Sequence, residues 1–191
     1  MYLLISLILI IFFHELGHYI AARLCKCGVP EFAIGFGPTL YSKKIGATTY
    51  KINILLLGGY VKLQDELNFS RSPNAFTNKT YSQKVFISMA GILVNVIMGA
   101  VSYWLGLHFE NLFLLAFGWY SILIGLSNAI PIIPCLDGSY PLFFLLEYKY
   151  GKKRTYEIMR KVFGISFKLL MILNIITLPY LVYLIWAGKI L

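Results

Sequence analysis

Two histidines four residues apart, with a glutamate directly after the first, lie in the first apolar stretch of the chain. The segment is His14-Glu15-Leu16-Gly17-His18, an H-E-x-x-H pattern. Residues four apart share one face of a helix, so both imidazoles can bind the same zinc ion. Glu15 projects about 100° away and is placed to accept a proton from metal-bound water. The spacing predicts a hydrolytic zinc site.

A catalytic zinc site needs a third protein ligand and one open position. Asp137 is a candidate, because it lies in an apolar segment interrupted by Pro134, Gly138 and Pro141. Its alternative role is the N-cap of a helix, a common position for aspartate. His108 is a second candidate, but it stands at the far end of another apolar run, where we expect a solvated interface residue. We therefore favour Asp137.

Three cysteines offer a weaker metal pattern. Cys25 and Cys27 are one residue apart, and Cys135 lies in a different segment. A single Cys-x-Cys pair does not supply a tetrahedral site. We expect these cysteines to be small residues at a membrane boundary.

The composition indicates that the elements carrying these residues lie in a membrane. Hydrophobic residues make up 59% of the 191-residue chain, charged residues 13%, and the mean hydropathy is +0.73. Soluble proteins carry about 25% charged residues. The net charge of +9 does not indicate nucleic-acid binding, because the basic residues lie in the gaps between apolar runs. That distribution is typical of membrane topology.

The apolar runs predict an α-helical polytopic membrane protein with about four transmembrane helices in a single domain. They span residues 1–22, 83–107, 112–146 and 162–187. The third run is broken around Asp137. Broken helices at membrane depth are tolerated where they line a cavity enclosed by protein. The break is therefore a place to expect function.

Residues 31–64 differ from the rest of the chain. They are rich in β-formers, have turn signals near residues 35–38 and 43–46, and alternate over 48–53. This pattern predicts a small membrane-associated β-hairpin or sheet. Its apolar stretch, residues 54–61, is suited to dip into the membrane.

Basic residues set the expected orientation. Segment 23–84 carries nine lysines and arginines and segment 149–168 carries seven, whereas residues 108–111 carry none. With four crossings, both basic segments fall on one side, which the positive-inside rule assigns to the cytoplasm. We expect an integral protein of a bacterial inner membrane with the active site towards the cytoplasm and both termini outward.

Several segments, in order, resemble the site-2 protease family of intramembrane metalloproteases, and most of all its bacterial members that act in regulated intramembrane proteolysis. The H-E-x-x-H motif is similar to the metal motif of that family, and residues 58–62 are similar to its β region. Residues 75–80 and 90–95 resemble the entry to its next core helix. Residues 128–138, from Asn128 to Gly138, resemble its N-x-x-P-x-P-x-L-D-G signature.

This resemblance implies an activity and a site. The reaction would be hydrolysis of peptide bonds within transmembrane segments or signal-peptide remnants, with His14, His18 and Asp137 holding Zn²⁺. Asn95 and Asn128 correspond to asparagines that help to hold substrate, and a simple interhelical hydrogen bond is their alternative role. A strand containing Gly58 and Gly59 would accept an unwound substrate by β-addition.

Some features depart from the family pattern. Only about residues 107–112 separate the second and third predicted helices, so PDZ domains that relatives insert there are missing from this position. Ser139 and Tyr140 follow Gly138, where many relatives have Gly-His. The change to Ser139-Tyr140 is not expected to abolish metal binding.

The expected partners are the lipid bilayer and single-span membrane proteins or peptides as substrates, with no nucleic acid. The alternative function is a non-enzymatic membrane zinc-binding protein or carrier, which would use the same two histidines and aspartate. Glu15 beside the first ligand and the lack of a repeated half argue against transport. The oligomeric state is not predicted by the sequence.

Overall fold

A computed structural model describes residues 2–66, 68, 70–133 and 136–186 of the chain. Within those residues the protein is mostly helical with one small antiparallel sheet, as the sequence predicts. The elements in chain order are α1 (Tyr2–Leu24), β1 (Glu31–Ile45), β2 (Thr48–Lys62), α2 (Tyr81–His108), α3 (Leu112–Asn128), α4 (Tyr140–Tyr150) and α5 (Lys152–Trp186).

Helices α1 and α2 pack at short distance, and this contact brings the two-histidine motif to the face of α2. A methyl group added at Gly17 would lie 2.9 Å from both the Ala90 carbonyl oxygen and Val94 Cγ2. Small residues at helix interfaces allow such close approach in membranes. Glycine between the two histidines therefore lets the metal motif lie directly against α2.

Helix α2 begins two residues before the predicted start at residue 83. Thr80 is its N-cap and accepts a hydrogen bond from the Gln83 amide, while the Gln83 side chain accepts one from the Thr80 amide. This reciprocal capping box satisfies two amide donors that the first turn of a helix leaves free. The polar residues ahead of the apolar run thus belong to the helix.

The segment predicted as a broken helix over residues 112–146 forms two separate helices. Helix α3 ends at Asn128, Asp137–Ser139 form a single 3-10 turn, and α4 begins at Tyr140. Pro141 lies in the first turn of α4, where its missing amide hydrogen costs nothing. Pro134 and Cys135 lie outside the described residues. The interruption leaves Asp137 on a short turn between two helices.

The two strands form a bent hairpin that folds back on itself. Ile45 pairs with Thr48 across a two-residue turn, and Gly46 adopts φ +60° there, a conformation that favours glycine. Residues 31–34 of β1 pair both with residues 49–52 and with residues 59–62 of β2. The sheet is therefore wider than a simple two-stranded ribbon, and its last part, which contains Gly59, lies near α1.

Helix α5 begins at Lys152, ten residues before the apolar run predicted over 162–187. The additional turns carry Tyr156 and Met159, which are buried in the main core with Phe76 and Phe144. Apolar residues at helical spacing among charged ones bury one face of a helix and leave the other exposed. The basic segment that precedes the apolar run is therefore helical rather than a loop.

Lys84, one of the basic residues used for the orientation, is also buried. Its ammonium group lies 2.6 Å from Glu147 Oε1, between the rings of Phe144 and Tyr156. This ion pair joins α2 to α4. Lys84 is thus part of the packed interior and not of a charged flank.

Two helices in the described part of the chain are long and apolar enough to cross a membrane. They are Ile5–Leu24 within α1 and the whole of α2; α3, with 17 residues, is apolar but shorter. Large apolar side chains such as Ile97, Trp104 and Leu112 point outward and are exposed. Exposed apolar surface of this kind is typical of contact with lipid.

Candidate metal centre

Three side chains from two distant parts of the chain converge on one point. Asp137 Oδ2 lies 2.8 Å from His14 Nε2 and 3.1 Å from His18 Nε2, and the two imidazole nitrogens are 3.2 Å apart. Tetrahedral zinc with bonds of about 2.0–2.1 Å separates its ligand atoms by roughly 3.3 Å. The three atoms therefore have the chemistry and spacing of a zinc-ligand set, and they form a metal-binding group in the described residues.

The second imidazole is oriented by the backbone of α2. His18 Nδ1 lies 2.7 Å from the Ile87 carbonyl oxygen in a buried contact. A carbonyl only accepts, so Nδ1 carries the proton and Nε2 presents its lone pair to the metal position. This hydrogen bond fixes the tautomer required for a ligand.

The imidazole of His14 faces a side chain of α2. Asn95 Nδ2 lies 3.1 Å from His14 Nδ1, and Asn95 Oδ1 is buried with no hydrogen-bond partner among the described residues. A 180° turn of the amide exchanges these two atoms. The oxygen then accepts from Nδ1–H, leaving His14 Nε2 free to bind metal. Asn95 is fully buried behind His14 and is not on the described cavity wall.

Glu15 stands beside the ligands without joining them. It is 8% exposed and lines the same cavity as His14 and Asp137. A methyl group added to Gly59 would lie 2.7 Å from Glu15 Cγ. The glycine in β2 is therefore what allows the sheet to lie against the base that the sequence predicts.

A second glycine keeps the metal position open on the α2 side. A methyl group added at Gly91 would collide with His18 Nε2 and would lie 2.8 Å from His14 Nε2. Only a residue without a side chain can occupy this position while both nitrogens point to one metal.

The converging groups open into a cavity of about 590 Å³. Among the sequence-predicted substrate residues, Gly58, Gly59 and Asn128 line it. Residues 128–138 contain one residue more between Asn128 and Asp137 than the N-x-x-P-x-P-x-L-D-G pattern, yet both reach the cavity. The three predicted substrate residues therefore line the same cavity as His14, His18 and Asp137.

Other residues considered from the sequence lie apart from the centre. His108 is exposed at the end of α2 and stacks on Trp104. Cys25 and Cys27 form no disulfide within the described residues, and burial raises the pKa of the Cys27 thiol to about 11. Neither cysteine belongs to the ligand group found among the described residues. Cys135 lies outside those residues.

One pair on the cavity wall has no counterpart in the sequence predictions. The Tyr140 hydroxyl lies 2.6 Å from Glu66 Oε1, and both residues line the cavity. Glu66 lies just after the predicted β region, residues 31–64, and the sequence predicts no role for it. The sequence carries one signal for this pair: Ser139-Tyr140 stand where many relatives have Gly-His, which places a tyrosine hydroxyl three residues after the candidate ligand Asp137.

Fold and site together define an apolar helical protein in which the buried H-E-x-x-H motif of α1 and a distant aspartate converge on one candidate metal centre. Residues 2–112 match the family model of Peptidase family M50. The chain therefore belongs to Peptidase family M50, and the family resemblance found from its motifs is confirmed.

Curated relatives share this region. The chain is 44% identical over 92 residues, 48% of its length, to a Clostridium acetobutylicum protein and 34% identical over 139 residues, 70% of its length, to one from Thermotoga maritima; the names of both describe zinc metalloproteases. It is 41% identical over 108 residues, 53% of its length, to the regulator of sigma-E protease RseP of Salmonella typhimurium. These alignments span 27%, 26% and 24% of the relatives, about a quarter of their length.

A solved structure has a similar fold. It is the site-2 protease from Methanocaldococcus jannaschii, with a TM-score of 0.55 and 23% identity. The similarity covers 96% of this chain and 72% of that one. It supports the arrangement of helices and sheet described above.

Proposed function

We propose that this chain is a membrane-embedded zinc metalloprotease that hydrolyses peptide bonds. The observation that carries the proposal is the convergence of His14, His18 and Asp137 within 3.2 Å of one another, with Glu15 beside them on a cavity wall. Membership of Peptidase family M50 and relatives named as zinc metalloproteases support it.

His14, His18 and Asp137 would hold the zinc, and Glu15 would handle the proton. When bound, zinc polarises a carbonyl and lowers the pKa of a coordinated water towards about 7. Glu15 is next to a ligand, buried and not itself within the ligand triangle. A carboxylate in that position accepts the proton of the attacking water and passes it to the leaving amine.

The walls of the cavity suit an extended peptide. Gly58 and Gly59 lie in β2, with Gly59 directly beside Glu15, and Asn128 is the last residue of α3 on the wall of the same cavity. An unwound segment would add to the strand through backbone hydrogen bonds, while the Asn128 amide would hold a peptide group. A substrate helix must unwind first, because its peptide groups are otherwise paired internally.

The substrates would be single-span membrane proteins or peptides. The chain would cross a bacterial inner membrane about four times, with α1 and α2 as two of the crossings. The basic segments 23–84 and 149–168 would face the cytoplasm and both termini would point outward. His14 precedes the end of α1 by ten residues, so the centre would lie roughly 15 Å from that end.

The test compares the wild type with Glu15→Gln in detergent. Zinc per chain is measured by elemental analysis, and cleavage of a panel of tagged single-span peptides is followed by mass spectrometry. We expect about one zinc in both proteins and cleavage by the wild type alone. Absence of zinc from both would overturn the metal centre. Zinc in both without cleavage of any peptide would favour the alternative function, a zinc-binding or carrier protein.

A further inference from the structure

Glu66 is a cavity carboxylate that the proposed hydrolysis does not use. It lies four residues after the end of β2, and Tyr140 fixes it through a hydrogen bond of 2.6 Å across 74 residues of sequence. Tyr140 begins α4, three residues after Asp137. The hydrogen bond therefore holds Glu66 at a set position relative to the metal ligands.

The charges on the cavity wall leave Glu66 without a cationic partner. Three carboxylates line the described part of the cavity, namely Glu15, Glu66 and Asp137. Asp137 is a ligand and Glu15 is the base. No salt bridge in the part of the chain that the structure describes involves Glu66, and the cavity cation Lys62 is bound to Glu31 at 3.1 Å.

Because the Glu66 carboxylate is partly removed from water, a cationic group that enters the cavity would stabilise its charged form. Burial raises the pKa of the Glu66 carboxyl, and the neutral Tyr140 hydroxyl only partly opposes that shift. A desolvated carboxylate regains free energy when an ammonium or guanidinium group enters hydrogen-bond distance. The site is therefore complementary to a positively charged ligand.

The expected substrates can supply that charge. Membrane-spanning segments carry lysine and arginine preferentially at their cytoplasmic ends, which is the side proposed for the sheet and the segment after it. A basic side chain near the scissile bond would extend along the cavity wall with its apolar stem against Leu63 and Leu136, which also line the cavity.

We propose that Glu66, positioned by Tyr140, is a specificity-determining residue that binds a lysine or arginine side chain of the substrate close to the scissile bond. The inference rests on the proposed function. A purely structural role of the same hydrogen bond, holding the segment after β2 against α4, predicts no preference for the charge of the substrate.

The experiment measures binding rather than hydrolysis, so that it is independent of turnover. Fluorescent single-span peptides are made with an alanine-leucine core and a helix-breaking Asn-Pro step. One lysine is moved through six positions on the cytoplasmic flank, and each peptide has a glutamine-matched partner. Anisotropy gives the Kd of each for zinc-loaded Glu15→Gln protein in detergent. We expect about tenfold tighter binding of lysine than of glutamine at one or two positions.

Further substitutions in the Glu15→Gln protein identify the group that causes the lysine preference. Glu66→Gln should remove the preference, and Glu66→Lys should reverse it in favour of a glutamate-containing peptide. Tyr140→Phe should weaken the preference without changing zinc content. Glu157→Gln, which removes an exposed carboxylate of α5 that does not line the described cavity, should leave it intact.

The outcomes separate this inference from the proposed function. Equal binding of lysine and glutamine peptides at all six positions would overturn the inference, as would a lysine preference that survives both changes at Glu66. Failure of the wild type to cleave any peptide would instead count against the protease, whatever the binding preference.

Discussion

Asn95 contacts the imidazole of His14 on the side opposite to Asp137. The amide lies 3.1 Å from Nδ1, and Asp137 lies 2.8 Å from Nε2 of the same ring. The ring is thus held between a ligand partner and a buried amide. Contacts at both ring nitrogens fix the orientation of the His14 imidazole.

Asn95→Leu is expected to weaken zinc binding by about 10- to 100-fold, because His14 loses the acceptor for its Nδ1 proton. The affinity is measured by competition with a calibrated chelator. The control is Ser102→Ala. It removes the hydrogen bond that the buried Ser102 of α2 donates to the Leu114 carbonyl, away from His14, and it should keep the wild-type zinc affinity. Equal zinc affinity of Asn95→Leu and the wild type would show that the amide does not orient the ligand.

Gly91→Ala should remove the metal centre. The added methyl group would collide with His18 Nε2 and crowd His14 Nε2, so the two ligands could no longer meet at one point. We expect less than about a tenth of the wild-type zinc per folded chain.

The control for Gly91 is Gly99→Ala on the same helix. A methyl group at Gly99 would crowd the Gly118 carbonyl oxygen and Ile122, at 2.8 Å each, and would lower stability through the contact with α3. It should leave zinc per folded chain unchanged. Loss of zinc in both variants would point to a general effect of α2 packing.

The sequence predicts the part of the centre that depends on local spacing. His14 and His18 are predicted as ligands because residues four apart lie on the same face of a helix, and this needs no knowledge of the rest of the fold. Asp137 could be proposed because few carboxylates lie in the apolar runs. Gly58 and Gly59 were placed in the β region, which the structure shows as a strand beside the base.

The missed features depend on contacts between distant parts of the chain. The hydrogen bonds of Asn95 with His14 and of Glu66 with Tyr140 join residues 81 and 74 positions apart. Periodicity and charge counts carry no information about such pairs. The same limit explains why the sequence predicts Lys84 as one of the cytoplasmic charges of segment 23–84, although the packing of α4 against α2 buries it.

Loss of one partner of the buried ion pair should strongly destabilise the protein. Lys84→Met leaves Glu147 charged and unpaired in the interior, which costs about 3–5 kcal/mol of unfolding free energy. Unfolding is followed by circular dichroism during titration of mixed micelles with sodium dodecyl sulfate. The exposed pair of Lys62 with Glu31 is the comparison, since Lys62→Met should cost less than about 1 kcal/mol. Similar losses of unfolding free energy in Lys84→Met and Lys62→Met would show that burial of the Lys84–Glu147 pair does not increase its effect on stability.

Stability of the sheet should fall in acid. Hydrogen bonds from Lys51 and Lys62 hold the pKa of Glu31 below its usual value of 4.5, so the unfolded sheet binds the proton more readily than the folded one. The contribution of Glu31 is therefore complete above the unfolded-state pKa and decreases as the pH falls through the lower, folded-state value.

Hydrogen exchange of residues 31–62, analysed by mass spectrometry at several pH values and corrected for the intrinsic exchange rate, measures this contribution. In the wild type, protection should be constant from neutral pH down to about 5 and fall below about 4. Glu31→Gln should already be less protected at pH 7 and should lack most of the acid-dependent loss, because the group that binds the proton is gone. If protection falls with pH in the same way in both proteins, the titrating group is not Glu31. That result would reject Glu31 as the carboxylate that holds both ends of β2 against the start of β1.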